Sequence, residues 1–249
     1  MITITKHMHD KLLVHNTENN LDKMLANDIP EPLPSKSGFS MIISGASGSG
    51  KTTLLYSIMT KKRKNGVRQS YNKLFDYIYI ISPTIGNDSM KNDLFNSIPD
   101  DQKWKSLTLE ALDSIEATVY KNKEKGKHSI IIMDDVGSQL KKNASIEKKL
   151  VQLIQNRRHA YCSFITLVQR YRDLPTGLRN NISHFITFRP KNMKESDSIT
   201  EELFPYGAKI NKQIMNYVFE DDNEQRTPRK GLFLFIDMSL ENGNEYLFY

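Results

Sequence analysis

Gly45-Ala-Ser-Gly-Ser-Gly-Lys-Thr52, directly after the apolar run Phe39-Ser-Met-Ile-Ile-Ser44, decides how the rest of this chain is read. A glycine, four residues and then Gly-Lys-Thr, set between a strand and a helix, make a phosphate-binding loop. Glycines at 45, 48 and 50 let the backbone wrap an oxyanion closely, and a helix beginning near Lys51 turns its positive end toward it. The contact set expected for a bound triphosphate is Gly45, Ala46, Ser47, Gly48, Ser49, Gly50, Lys51, Thr52 and Thr53. Lys51 is expected to reach the β- and γ-phosphates, and the Thr52 hydroxyl to ligate Mg2+.

Outward from the loop, Ile130-Ile-Ile-Met-Asp134-Asp135 reads as a strand ending in two carboxylates. Asp134 is expected to hold the Mg2+ shell, and Asp135 to orient or deprotonate the attacking water. An aspartate is one methylene shorter than a glutamate, so Asp135 reaches less far toward that water. Gln169 closes the apolar run Phe164-Ile-Thr-Leu-Val168, where an amide can touch both a γ-phosphate and its attacking water. Arg157 and Arg158 end the helix before that strand. If subunits form a ring, one of these arginines can enter the neighbour's site and stabilise charge in the transition state. Their plain alternative is a helix C-terminus favoured by positive charge. Arg179 and Arg189, flanking the strand Phe185–Phe188, are further candidates for the same role.

Composition narrows the surroundings of this site. With 249 residues, 38% hydrophobic and 26% charged, the chain can build one large α/β domain with a core and a wet surface. The 35 basic and 29 acidic residues leave a net charge of +6, which favours a polyanionic partner. Basic clusters occur at Lys61-Lys-Arg-Lys64, Lys121 to Lys127, Lys141-Lys142, Lys148-Lys149 and Arg157-Arg158, each of which could equally be a solvated helix face or end. The single cysteine, Cys162, sits in an apolar run, reads as a buried thiol and excludes an intrachain disulfide, as in a reducing compartment. No segment resembles a signal peptide, and no run approaches the ~20 apolar residues that span a bilayer.

The order of patterns is that of alternating strands and helices. Residues 1–38 read as an N-terminal extension with a short helix from Asn20 to Ala26 and a linker carrying Pro30, Pro32, Pro34 and Gly38. His7, His9 and His15 have no accompanying ligand pattern and read as an exposed stretch. Strands are expected at Phe39–Ser44, Tyr77–Ser82, Ser129–Met133, Phe164–Val168 and Phe185–Phe188; their runs lack polar alternation, as in a parallel sheet covered on both faces. Helices are expected from Thr52 to about Lys64 with a stop at Gly66, over Thr108–Lys125, and along Ile146, Leu150, Leu153 and Ile154. Gly231–Met238 and Glu245–Tyr249, around Asn242-Gly243, read as an antiparallel hairpin at the sheet edge. This divides the chain into 1–38, an ATPase core at 39–190, and a C-terminal lid or interface segment with the hairpin at 191–249.

Among P-loop classes, Asp134-Asp-Val-Gly137 fits the Asp-x-x-Gly of GTPases, but no Asn-Lys-x-Asp for guanine is present, nor the transporter-type Leu-Ser-Gly-Gly-Gln. A small-molecule or nucleotide kinase stays open, although it gives no role to the basic clusters and Gln169, and so does a nucleotide-controlled assembly scaffold. Gly45–Thr52, Ile130–Asp135 and Asn156-Arg-Arg-His-Ala-Tyr-Cys-Ser-Phe-Ile-Thr-Leu-Val-Gln169 together resemble the three main motifs of the FtsK–HerA superfamily of DNA-pumping ATPases. The likeness is greatest to the genome-packaging ATPases of poxviruses, giant viruses and virophages, and Leu174–Arg189 resembles their next segment. It covers roughly residues 39–190 and implies a RecA-like sheet, ATP and Mg2+ as cofactors, a homo-oligomeric ring, hexameric in this family, and translocation of double-stranded DNA into a capsid. By the same resemblance Gln169 senses the γ-phosphate and Arg158 is favoured over Arg157 as the trans finger, because Arg157 stands where relatives often have glycine. Capsid vertex proteins as partners, and a location in the host cytoplasm or a viral factory or with the virion, follow from it too. DNA contacts without sequence readout are expected from the Arg170–Leu178 loop and Lys141–Asn143.

Overall fold

The computed structural model describes residues 23–85, 94–140, 143–204, 206–219, 231–239 and 246–248. The apolar runs form strands and the 3.6-residue patterns form helices. The strands are β1 (Ser40–Ser44), β2 (Tyr77–Ile81), a short β3 (Lys103–Trp104), β4 (Ser129–Asp134), β5 (Cys162–Val168), β6 (His184–Phe188), β7 (Phe233–Asp237) and β8 (Tyr246–Phe248). The helices are α1 (Lys51–Thr60), α2 (Leu109–Glu124), the short α3 (Gly137–Leu140), α4 (Ala144–Gln155), the short α5 (Thr176–Arg179), α6 (Met193–Leu203) and α7 (Ala208–Phe219). They build one eight-stranded sheet in the order β3-β2-β4-β5-β1-β6-β7-β8. β1 to β6 run parallel, while β7 pairs antiparallel with β6 and β8 antiparallel with β7. This is a RecA-like, mostly parallel α/β sheet with the expected C-terminal antiparallel hairpin, whose Asn242-Gly243 turn lies outside the described residues.

Alternate side chains of each strand go to opposite faces, and both faces are covered. Met41 and Ile43 of β1, Ile130 and Ile132 of β4, and Ile165 and Leu167 of β5 pack with Leu55, Ile58 and Met59 of α1. Ile42, Ile131 and Phe164 point the other way, onto Leu112 and Ile115 of α2, Leu150 and Ile154 of α4, Ile199 of α6 and Met215 of α7. Local chemistry sets the ends of these helices. Thr108 accepts from the Ala111 N–H to cap α2, and Asn143 accepts from Ser145 and Ile146 to cap α4. Cys162 is buried, as expected, and burial pushes its thiol well above the usual range.

Three local expectations are corrected. The helix after the loop ends at Thr60, four residues before the expected Lys64, because the Asn72 amide donates to the Thr60 carbonyl and the Ser70 hydroxyl to that of Lys61. Gly66 is consequently not a helix stop. With Asn65 it forms a tight turn of positive φ (80° and 51°) between Lys64 and Val67, which pair across it. The helix expected from Asn20 to Ala26 begins outside the described residues, and Met24 makes an antiparallel bridge with Lys36 instead. His7, His9 and His15 also lie outside them. Among the described residues no helix is long and apolar enough to cross a membrane.

Leu150 of α4 is fully buried against the sheet. Leu150→Ala is expected to lower the unfolding free energy by about 2–5 kcal/mol, read from the shift in urea midpoint at unchanged slope.

Candidate functional site: a phosphate loop facing an acid pair

The central strands end level with one another. Ser44 of β1 lies opposite Val168 of β5, and Asp134 of β4 opposite Leu167, so whatever follows each strand emerges at the same sheet edge. From β1 comes the loop 45–50. The Gly45 N–H donates to the Val168 carbonyl at 3.1 Å, stitching the loop to the strand that carries Gln169. Gly48 (φ 76°) and Gly50 (φ 106°) take left-handed conformations, and Gly50 is the residue that opens α1. A Cβ on Gly45 would stand 2.6 Å from Ser49 Oγ and 2.9 Å from Phe188 Cβ. Phe188, at the end of β6, is thus the floor of the loop, a contact with no sequence signal at the motif itself. α1 has no side-chain N-cap, so the first-turn amides of this helix point into the loop without an intrahelical partner.

Lys51 Nζ donates to the carbonyls of Gly45 (2.6 Å) and Ala46 (3.0 Å), holding the loop closed around the lysine. Its pKa is lowered by burial against the opposing pull of Asp134 and Asp135. Asp134 is raised by burial and by the neighbouring Asp135, with Lys51 working the other way. Two carboxylates therefore crowd one ammonium, and an oxygen-seeking cation would relieve that crowding. Asp135 has φ 53°, a left-handed conformation an aspartate tolerates, which turns the chain out of β4 and exposes its side chain. Gln169 Nε2 donates to Asp135 Oδ1 at 3.4 Å, so the amide and the acid meet. They line a cavity of about 210 Å3 with Gly137, Ser138, Val168, Arg170 and Asp173. Ser49 Oγ is buried without a hydrogen-bond partner.

The arginines are placed differently. Arg157 and Arg158 precede β5 and so stand at the opposite edge of the sheet from the loop. The Arg157 guanidinium donates to the carbonyls of Gly38 (2.8 Å) and Ile154 (2.9 Å), while Arg158 and His159 are exposed. Arg179 is bound to Glu202 and stacks 5.1 Å over the Tyr171 ring. Arg189, just past β6, is exposed on the same edge as the loop. Of the stretches expected to touch DNA, Arg170 is held by Asp173 through two hydrogen bonds, and Lys141 and Lys142 lie outside the described residues. Among the described residues no group of three or more His, Cys, Asp or Glu could hold a metal on its own.

A loop after β1, an acid pair after the second strand over and a polar residue between them define a P-loop NTPase fold of the RecA-like type. The chain belongs to the poxvirus A32 protein family, whose model matches residues 33–239. It is 31% identical over 165 residues to the DNA packaging protein OPG160 of variola virus, a match spanning 66% of this chain and 56% of that protein. To OPG160 of vaccinia virus, strain Copenhagen, it is 30% identical with the same coverage. The chain thus spans little more than half the length of the curated relatives it matches. In fold it is similar to B204, the DNA-packaging ATPase from Sulfolobus turreted icosahedral virus, with a TM-score of 0.56 at 16% identity over 84% of this chain and 97% of that one. B204 from Sulfolobus turreted icosahedral virus 2, in complex with sulfate, gives 0.54 at 19% identity over 85% and 95%.

Gly45→Ala is expected to fold but to weaken triphosphate binding about tenfold or more, because its methyl meets Ser49 and Phe188. Gly48→Ala meets no atom within 4 Å and carries only left-handed strain, so a smaller loss is expected in the same nucleotide titration.

Proposed function

We propose that this chain is an ATPase that drives double-stranded DNA into a viral capsid. The observation that carries the reading is the meeting of Gln169 with Asp135 at 3.4 Å, on the sheet edge that also presents the loop and Lys51. The family and the relatives named as DNA packaging proteins support the work the hydrolysis is put to. So does the net charge of +6, which suits a polyanion held through its phosphates without sequence readout.

In this reading the amides of residues 45–50 and the start of α1 cradle the phosphates of ATP, with Thr52 and Thr53 at the helix entrance. Lys51 leaves the carbonyls of Gly45 and Ala46 for the β- and γ-phosphates. Thr52 and Asp134 would hold Mg2+, a hard cation suited to their hydroxyl and carboxylate oxygens. When bound, that ion neutralises phosphate charge. Asp135 accepts the proton of the water that attacks the γ-phosphorus, and Gln169 orients that water and reports whether the γ-phosphate is present. Arg158, exposed at the far edge, acts in the site of the next subunit of a ring, which we take to be hexameric. Residues 39–190 serve as the catalytic core and 191–249 as a lid or subunit contact. Capsid vertex proteins are the docking partners, in the host cytoplasm, in a viral factory or on the virion.

Steady-state ATP hydrolysis by the assembled oligomer is expected to rise on adding long duplex DNA; an unchanged rate would remove the translocase reading. Asp135→Asn is expected to lower turnover by about 10²–10⁴-fold while ATP binding persists. Arg158→Ala subunits mixed into wild-type oligomers are expected to depress activity more than in proportion to their share, given the ~10³–10⁵ in rate that such a finger supplies. A strictly proportional loss would place Arg158 outside the neighbour's site.

A further inference from the structure

The residues just after Gln169 are gripped by α6, an element that enters the sequence well downstream. Glu195 Oε1 accepts the backbone N–H of Tyr171 at 2.5 Å. Glu195 is 9% exposed and sits in the first turn of α6, where the Asn192 side chain accepts its own N–H at 3.0 Å. A second grip holds the ring. Tyr171, 1% exposed, stands edge-on to Phe185 with ring centroids 5.2 Å apart, and its hydroxyl donates to Glu202 Oε2 at 3.0 Å. Arg179 covers the outer face of that ring and is itself bound to Glu202. The backbone from Gln169 to Asp173 therefore hangs between β5 and α6, with Arg170 tied to Asp173 inside it.

Besides Glu195, α6 buries Ser198, Ile199, Thr200 and Leu203, none of them charged. Burying a carboxylate there is costly, and burial does push the Glu195 carboxyl above its ordinary range. What that side chain supplies is a directional oxygen acceptor for a backbone N–H two residues from the amide proposed to sense the γ-phosphate. We infer that Glu195 is a positioning residue: by fixing the Tyr171 N–H it aims Gln169 at Asp135 and ties α6 to the nucleotide state of the site. The inference rests on the hydrolytic reading of that site.

The test measures kcat, KM and AMPPCP affinity, with folding monitored by circular dichroism. Glu195→Ala is expected to lower kcat by about 10–100-fold, the scale of a small misplacement of a catalytic group, with the AMPPCP Kd within about twofold of wild type. Glu195→Gln keeps an acceptor oxygen at the same reach and is expected to restore kcat to within about threefold. Glu195→Asp keeps the charge but withdraws the acceptor by a methylene, and is expected to be impaired. A folded Glu195→Ala protein with wild-type kcat overturns the inference, as does a Glu195→Gln protein no better than Glu195→Ala. Should Glu195→Ala fail to fold, an active Glu195→Asp beside an impaired Glu195→Gln overturns it. Wild-type protein that hydrolyses no ATP sinks the hydrolytic reading itself, a result separate from any Glu195 variant that matches an active wild type.

Discussion

The site depends on the register of three parallel strands. Ser44 opposite Val168 and Asp134 opposite Leu167 bring the loop, Gln169 and the acid pair out of the sheet at one level. That register is fixed from both faces, since a slip of one residue would send Met41 and Ile43 toward α4 and Ile42 toward α1. Near-zero exposure of these side chains makes such a slip costly. The hydrophobic core thereby supplies the positional accuracy that the polar groups need, and the Gly45 N–H bond to Val168 carries it into the loop itself.

On that edge the charges are deliberately unbalanced. Lys51 is half-buried beside Asp134 and Asp135, and burial disfavours the charged form of both the lysine and Asp134. The lysine meanwhile occupies the loop's own carbonyls, which keeps the loop in a phosphate-ready curve at the cost of a competing bond. A ligand bearing several negative charges, brought in with a divalent cation, satisfies the lysine and the carboxylates together. Neither an anion nor a cation alone would do so. That charge balance favours the proposed metal–triphosphate ligand.

Much of this was legible from the sequence, and the parts that were not share a physical cause. The loop, the strand ending in Asp134-Asp135 and the Gln169 terminus are local patterns in which chemistry and periodicity coincide, so their elements fall where the residues place them. The C-terminal hairpin was legible for the same reason. The end of α1 was not, because it is set by Ser70 and Asn72, a separate segment that offers hydrogen bonds to the last carbonyls. Phe188 under the loop and Glu195 behind Tyr171 leave no periodic trace either; each is a single side chain whose partner is far away along the chain. The strand Lys103–Trp104 is too short to produce an alternation.

The two edges of the sheet divide the arginines by what they can do. Arg157 is spent on the carbonyls of Gly38 and Ile154, where it pins the segment entering β1 to the end of α4. Gly38, with φ 81° and a virtual Cβ 2.9 Å from Arg158 Cα, shows how tightly that junction is packed. A guanidinium so engaged would have to break two hydrogen bonds to act elsewhere; its neighbour Arg158 is exposed. β5 runs from this junction to Gln169 and is buried at every position. Just beyond its end lie the residues that α6 holds through Glu195 and Glu202. One strand thus joins the end of the sheet that carries Arg157 and Arg158 to the amide beside the acid pair, the connection that the proposed ring-shaped motor would need.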